Sequence, residues 1–163
     1  MRVYLPATLP LLARLSKDGE LALPDGFAVT ESLRAWYAEG DDEELEYAAL
    51  TAAAHASLRR LAAEPDAPRS RVVIAADIPD ARVAVPAAAE AETPGVIKIT
   101  GPVRLVEVAA LHVDETDARE PVAAAARSLA AADEGEAAAL LTLEAVEDFD
   151  LLWYAAQELG DLL

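Results

Sequence analysis

The sequence predicts a single domain of the α/β or α+β class, in which a small mixed sheet of three to five strands is covered by helices. Short apolar segments typical of strands alternate along the chain with longer segments whose apolar residues recur every three or four positions. The length of 163 residues favours one domain. No internal repeat and no shift in composition marks a second domain, so we expect residues 1–163 to form one unit.

The predicted strands are short and apolar. Residues 71–76, RVVIAA, form a continuous apolar run, which indicates a strand buried on both faces at the centre of the sheet. Further strands are expected at residues 2–7, 83–85, 96–100 and 109–113. Residues 22–28, ALPDGFA, are expected to form a turn. Residues 86–95, PAAAEAETPG, are of low complexity, which predicts a mobile surface loop.

The longest predicted helix begins after Gly40. Asp41 followed by Glu44 resembles a capping box, and the acidic residues of the first turn suit the positive end of a helix dipole. Shorter helices are expected after Thr8 and Thr30, and from Pro121 to about residue 132.

The C-terminal segment is expected to form a pair of helices. Its apolar residues repeat at intervals of three and four positions, namely Phe149, Leu152, Trp153, Ala156 and Leu159. The core is therefore predicted to bury five residues together: Val73, Ile74, Leu111, Leu152 and Trp153. Trp36 and Trp153 are expected to be its rare large side chains, because aromatic residues make up only 5% of the chain.

The net charge of −17 at pH 7 limits the kinds of molecule that the protein is expected to bind. Binding to nucleic-acid phosphates or to anionic lipid requires a basic surface, so both are disfavoured. The charge is explained either by solubility in the cytoplasm or by a basic partner surface. No apolar stretch is long enough to span a membrane, and we expect a cytoplasmic protein.

The best enzymatic candidate is the cluster formed by His112, Asp114 and Glu115 at the end of a predicted strand. These residues could serve a small hydrolase or a metal-dependent enzyme, although a hydrogen-bonded histidine followed by helix-capping acids explains them as well. His55 is the only other histidine, and a zinc site shared with His112 is conceivable. The chain has no cysteine and no glycine-rich phosphate loop, and no cofactor or metal is predicted.

The last third of the chain is distinctive because no basic residue follows Arg127. Nine acidic residues lie there: Asp133, Glu134, Glu136, Glu144, Glu147, Asp148, Asp150, Glu158 and Asp161. They form either a solvated face or a docking surface for a basic protein. In the second case we expect Glu144, Glu147 and Asp150 to contact the partner, with Trp153 or Tyr154 as an exposed aromatic anchor.

Several segments together resemble an uncharacterised protein family of actinobacteria. They are MRVYLPATLPLL, GFAVTESLRAWY, EELEYAALTAAAHASL, RVVIAADIP, VAALHVDE and LLWYAAQEL, and they span nearly the whole chain. The resemblance implies a cytosolic single-domain protein. It implies no catalytic or binding residue, because that family is a domain of unknown function.

Three functional hypotheses follow from the sequence. The preferred one is a non-enzymatic interaction or regulatory protein that uses its acidic C-terminal helical face. The first alternative is the enzyme centred on His112, Asp114 and Glu115. The second alternative is a module that binds a small molecule without catalysis.

Overall fold

A seven-stranded antiparallel sheet forms the centre of the structure, a computed structural model that describes residues 1–163. In chain order the nine strands are β1 (Arg2–Ala7), β2 (Glu20–Leu21), β3 (Asp25–Phe27), β4 (Val72–Asp77), β5 (Val83–Ala84), β6 (Val96–Ile99), β7 (Val103–Arg104), β8 (Val108–Asp114) and β9 (Leu151–Ala155). The main sheet has the order β5-β6-β3-β1-β4-β8-β9, and β2 pairs separately with β7.

The architecture is α+β, but the predicted mixed sheet of three to five strands is wrong in both strand number and strand direction. Every neighbouring pair of strands is antiparallel. The local sequence does not encode which strands become neighbours, and strands of two or three residues are too short to produce a recognisable pattern. The prediction that residues 71–76 form a central buried strand is confirmed by β4, which lies between β1 and β8.

Five α-helices surround the sheet. They are α1 (Leu9–Asp18), α2 (Glu31–Trp36), α3 (Asp42–Ala63), α4 (Arg119–Asp133) and α5 (Ala137–Glu147). The predicted capping box of α3 is confirmed, since Glu44 N–H donates to Asp41 Oδ1 at 2.9 Å and Asp41 N–H donates to Glu44 Oε2 at 3.1 Å. None of the helices combines the length and the apolar character that crossing a bilayer requires.

The two faces of the sheet are covered by different helices. Helix α3 crosses one face, where Ala49 and Ala53 pack against Tyr4 and Val73. Its alanines allow the helix to approach the sheet closely. The other face packs against α1 and the 3-10 helix at Ala156–Leu162. Helices α4 and α5 pack on the C-terminal half of α3 in a separate apolar cluster.

A buried serine fastens α3 to the sheet. Ser57 Oγ donates to the carbonyl oxygen of Ala7 at 2.7 Å and accepts from Val72 N–H at 3.0 Å. Ala7 is the last residue of β1 and pairs with Val72, the first residue of β4. The hydroxyl therefore completes the hydrogen bonding where these two strands separate.

Residues 25–27 form a strand, although the sequence of the segment predicts a turn. Tyr4 of β1 pairs with Phe27, and Gly26 pairs with Ile97 of β6. A Cβ atom at Gly26 would lie 2.7 Å from Leu5 Cδ2. Glycine is required here by the close approach of Leu5, and not by a turn.

The prediction of a C-terminal pair of helices is wrong for the second helix. Helix α5 is present, but the following residues form β9, which pairs with β8. Leu152 and Trp153 are 42% and 62% exposed, so they are not core residues, whereas Val73, Ile74 and Leu111 are buried. Trp36, the other tryptophan expected in the core, is also exposed.

The low-complexity segment 86–95 lies largely at the surface and includes a 3-10 turn at Ala88–Glu90. Its last residue is anchored, since Gly95 N–H donates to Ser32 Oγ at 3.1 Å and Gly95 O accepts from Ala28 N–H at 2.9 Å. The mobility of the remainder stays a prediction.

Replacing Leu111 with alanine should destabilise the fold by about 2–5 kcal/mol, because the side chain is fully buried beside Ile74 and leaves a cavity. Leu152→Ala is the matched control, since it removes the same atoms from a largely exposed position on the neighbouring strand. Urea unfolding followed by circular dichroism measures both. Equal losses for the two variants would contradict the assignment of β9 to the edge of the core.

Candidate functional site

A cleft of about 730 Å³ lies between α3, α5, the edge strand β9 and its neighbour β8. Tyr47, Thr51 and His55 of α3 line one side. His112 of β8 and Trp153 of β9 line the sheet side. The cleft thus combines aromatic, imidazole and hydroxyl groups on one surface.

The pairing of β8 with β9 explains why His112 and Trp153 lie together. His112 pairs with Val73 of β4 on one side and with Trp153 on the other. Side chains of directly paired residues project from the same face of a sheet. Leu111 and Tyr154 are the next pair along, so they project from the opposite face.

A buried ion pair forms the base of this region. Arg71 Nε and Nη2 donate to the two carboxylate oxygens of Asp114 at 2.8 and 2.7 Å, and the backbone N–H of Arg71 donates to the same carboxylate at 2.8 Å. The two side chains are only 6% and 0% exposed. Arg71 Nη2 also donates to the carbonyl oxygen of Phe149 at 2.8 Å. Arg71 therefore lines the cleft with its charge already compensated.

The residues of the predicted enzymatic cluster are placed in three different environments. His112 lines the cleft, Asp114 is held by Arg71, and Glu115 is exposed beyond the end of β8. His55 lines the same cleft as His112. No group of three or more histidine and carboxylate side chains is arranged to hold a metal ion.

The pKa values of both histidines are lowered. Burial lowers the pKa of His112 below its ordinary value of 6.5, and the positive charge of Arg2 lowers it further. Partial desolvation lowers the pKa of His55 too, although its side chain is exposed, and Arg59 lowers it further while Glu147 and Asp133 oppose the shift. Both imidazoles are therefore neutral at pH 7 and present one donor and one acceptor nitrogen.

Two of the acidic residues predicted to contact a partner lie at the cleft. Glu147 and Asp150 line it and are exposed, and neither forms an ion pair. Asp150 accepts a hydrogen bond from the hydroxyl of Tyr47 at 3.3 Å. Glu144 is exposed one turn earlier on α5. Because the only cation of the lining, Arg71, is compensated by Asp114, the cleft carries an excess of negative charge.

Tyr154, the aromatic residue assigned to the same surface, is placed elsewhere. It is half-buried and packs against the core on the opposite face of the sheet. Three exposed aromatic residues border the cleft, Tyr37, Tyr47 and Trp153, together with the half-buried Phe149. Tyr37 and Tyr47 were missed by the sequence analysis. Tyr47 lies off the apolar stripe of α3, and this displacement is the signal that could have identified it.

Comparison with known proteins assigns the chain to a family. Residues 1–163 match the family of unknown function DUF6912, and the chain belongs to that family. No curated protein matches the chain. No solved structure matches it either.

Replacing Asp114 with asparagine should destabilise the fold by about 3–5 kcal/mol, because it leaves the buried Arg71 charge without its counterion. Asp133→Asn is the matched control, since Asp133 forms the same two-point contact with Arg59 but at the surface. We expect only a small change there, measurable by urea unfolding. Similar losses in both variants would contradict a special role for the buried pair.

His112 should make stability depend on pH below 6.5. The unfolded chain binds a proton at this histidine as the pH falls through 6.5, whereas the folded chain, with its lowered pKa, does not. Stability is therefore lost as the pH falls below 6.5, and His112→Gln should lose less over the same interval. Unfolding free energies of both proteins measured at each pH test this. Parallel pH curves would contradict it.

Proposed function

We propose that this DUF6912 protein is a non-enzymatic interaction protein that binds a positively charged side chain of a partner protein in the cleft between α3, α5 and β9. One observation carries the proposal. Exposed aromatic rings and two unpaired carboxylates, Glu147 and Asp150, border a cleft whose only arginine is neutralised by a buried partner. The cytoplasmic location and the actinobacterial origin expected from the sequence belong to the same proposal.

Aromatic faces and carboxylates both favour a cation. The face of a tryptophan or tyrosine attracts an ammonium or guanidinium group by about 0.5–2 kcal/mol, depending on how far the cation is desolvated. Tyr47 of α3 and Trp153 of β9 supply such rings in the lining of the cleft. Glu147 and Asp150 supply the counter-charge beside them. An arginine or lysine side chain satisfies both kinds of group at once.

A side chain presented by a protein suits the openness of this surface. Trp153 is 62% exposed, and exposed tryptophan and tyrosine residues are typical anchors of protein interfaces. The net charge of −17 also increases the encounter rate with a basic partner.

A free organic cation is the second candidate, and the size of the cleft favours it. A volume of about 730 Å³ lies within the range of small-molecule sites. The enzymatic alternative receives no such support, because Asp114 is committed to Arg71 and cannot orient His112 as a catalytic base.

The proposal is tested with the fluorescence of Trp153. Trp36→Phe leaves Trp153 as the only tryptophan, and the blocked peptide Gly-Arg-Gly is then titrated into the protein. We expect a saturable change in emission that the matching peptide Gly-Glu-Gly does not produce. Replacing Glu147 with Gln and Asp150 with Asn should weaken binding by about tenfold, since each exposed charge pair contributes up to about 1 kcal/mol.

The control removes the same two charges elsewhere. Asp18→Asn with Glu20→Gln changes exposed acids at the end of α1 and in β2, away from the cleft lining. This variant should bind Gly-Arg-Gly as the parent does, and added salt should weaken binding in both. Equal affinity of the Glu147 and Asp150 variant and the parent would refute the proposal.

A further inference from the structure

Strand β9 forms a free edge of the main sheet. It pairs with β8 through five residues, and no strand lies on its other side. The opposite edge is β5, which has only two residues, Val83 and Ala84. A short edge strand offers little to a second chain, whereas a five-residue strand offers a template for pairing.

The hydrogen bonds of β8 determine which backbone groups of β9 are open. Asp114 N–H donates to Arg71 O at 3.1 Å, on the side of β4. In an antiparallel sheet the backbone groups of successive residues point to alternate neighbours, so Val113 and Leu111 face β9. Their partners, Leu152 and Tyr154, are the residues of β9 that bond to β8.

Leu151, Trp153 and Ala155 consequently direct their backbone groups away from the sheet. An independent contact agrees with this direction, because Ala155 N–H donates to the carboxylate of Glu158 at 2.7 Å and not to β8. Glu158 thus covers the last of the outward N–H groups. The N–H and C=O groups of Leu151 and Trp153 have no strand to pair with.

The usual protections of an exposed edge are missing from β9. Its sequence, LLWYA, contains no lysine, no proline and no charged residue, and its pairing with β8 is regular over all five positions. Charge lies only at its two ends, in Asp148 and Asp150 before the strand and Glu158 after it. All three residues are exposed.

We propose that β9 accepts an extended segment of a basic partner protein as an eighth strand of the sheet. This inference rests on the proposed function, since the cleft and β9 share Trp153. A strand paired to β9 projects alternate side chains from the two faces of the sheet. Every second side chain then lies on the face of Trp153, near Glu147 and Asp150, and the intervening ones lie beside the exposed Leu152. The partner segment alternates basic and apolar residues.

Charge favours this occupant over a second copy of the chain. A symmetric antiparallel pair of β9 strands centred on Trp153 would bring Asp148 and Asp150 of each copy beside the segment that carries Glu158 of the other. Each copy also carries a net charge of −17. Like charges placed across an interface cost free energy, whereas a basic segment meets opposite charge at both ends of the strand.

Amide hydrogen exchange of individual β9 residues tests the inference on the intact protein. The probe is a blocked pentapeptide with arginine at its first, third and fifth positions and valine between them. In the free protein the amides of Leu152 and Tyr154 should exchange slowly, and those of Leu151 and Trp153 rapidly. Saturating probe should slow the last two by about tenfold or more, because they become hydrogen-bonded.

A peptide of the same composition, with its three arginines followed by its two valines, is the matched control. It should bind about tenfold more weakly, because its side chains cannot place charge on one face and apolar groups on the other. Two results overturn the inference: failure of the alternating peptide to bind at millimolar concentration, and binding that leaves the Leu151 and Trp153 amides in rapid exchange.

The remaining outcomes separate the inference from the proposed function. If binding of the alternating peptide falls in the Glu147 and Asp150 variant but the two amides stay unprotected, the cleft binds the cation and strand pairing is wrong. If the two amides are protected in the free protein and lose this protection on dilution, a second copy occupies β9, and the assignment of the partner is overturned.

Discussion

The buried ion pair between Arg71 and Asp114 is the contact on which the candidate cleft and the adjoining strand β9 depend. It joins the residue before β4 to the last residue of β8, and through the carbonyl oxygen of Phe149 it holds the segment that leads into β9. A buried pair is costly to desolvate and gains specificity from its geometry. Here the hydrogen bond from Arg71 to the carbonyl oxygen of Phe149 holds the chain two residues before β9 begins, next to the cleft that Asp150 and Trp153 line.

Parts of the fold could be predicted because the determining interactions are local. The capping box of Asp41 and Glu44 and the apolar run that becomes β4 depend only on neighbouring residues. Gly26 and Trp153 depend on distant ones. Gly26 lies in a strand because its segment pairs with β1 and β6, and Trp153 lies in a strand because its segment pairs with β8. The apolar spacing around Trp153 is typical of a helix, but the continuous apolar run at residues 151–155 also fits a strand, so tertiary pairing decides between them.

The acidic character of the candidate cleft could be predicted from the sequence, but the set of residues that line it could not. The basic-free C-terminal segment indicated an acidic surface, and Glu147 and Asp150 do lie exposed at the cleft. The neighbours of these residues come from α3, which is distant in sequence, so the approach of Tyr47 to Asp150 has no local signal. Asp114 illustrates the reverse error. Its position beside His112 suggested a catalytic or metal-binding residue. Its actual partner is Arg71, which lies just before the neighbouring strand β4 and is distant in sequence.

The acidic residues around β9 have two electrostatic effects. An apolar edge strand with open backbone groups is an aggregation hazard, and natural proteins commonly block such strands with charge or proline. In this chain the charge flanks the strand at Asp148, Asp150 and Glu158 and leaves its five residues clear. Flanking negative charge repels every other copy of the same acidic chain, yet it attracts a basic segment. Electrostatic repulsion therefore limits which chains can approach β9. The strand can remain apolar and unpaired in the free protein without binding other chains nonspecifically.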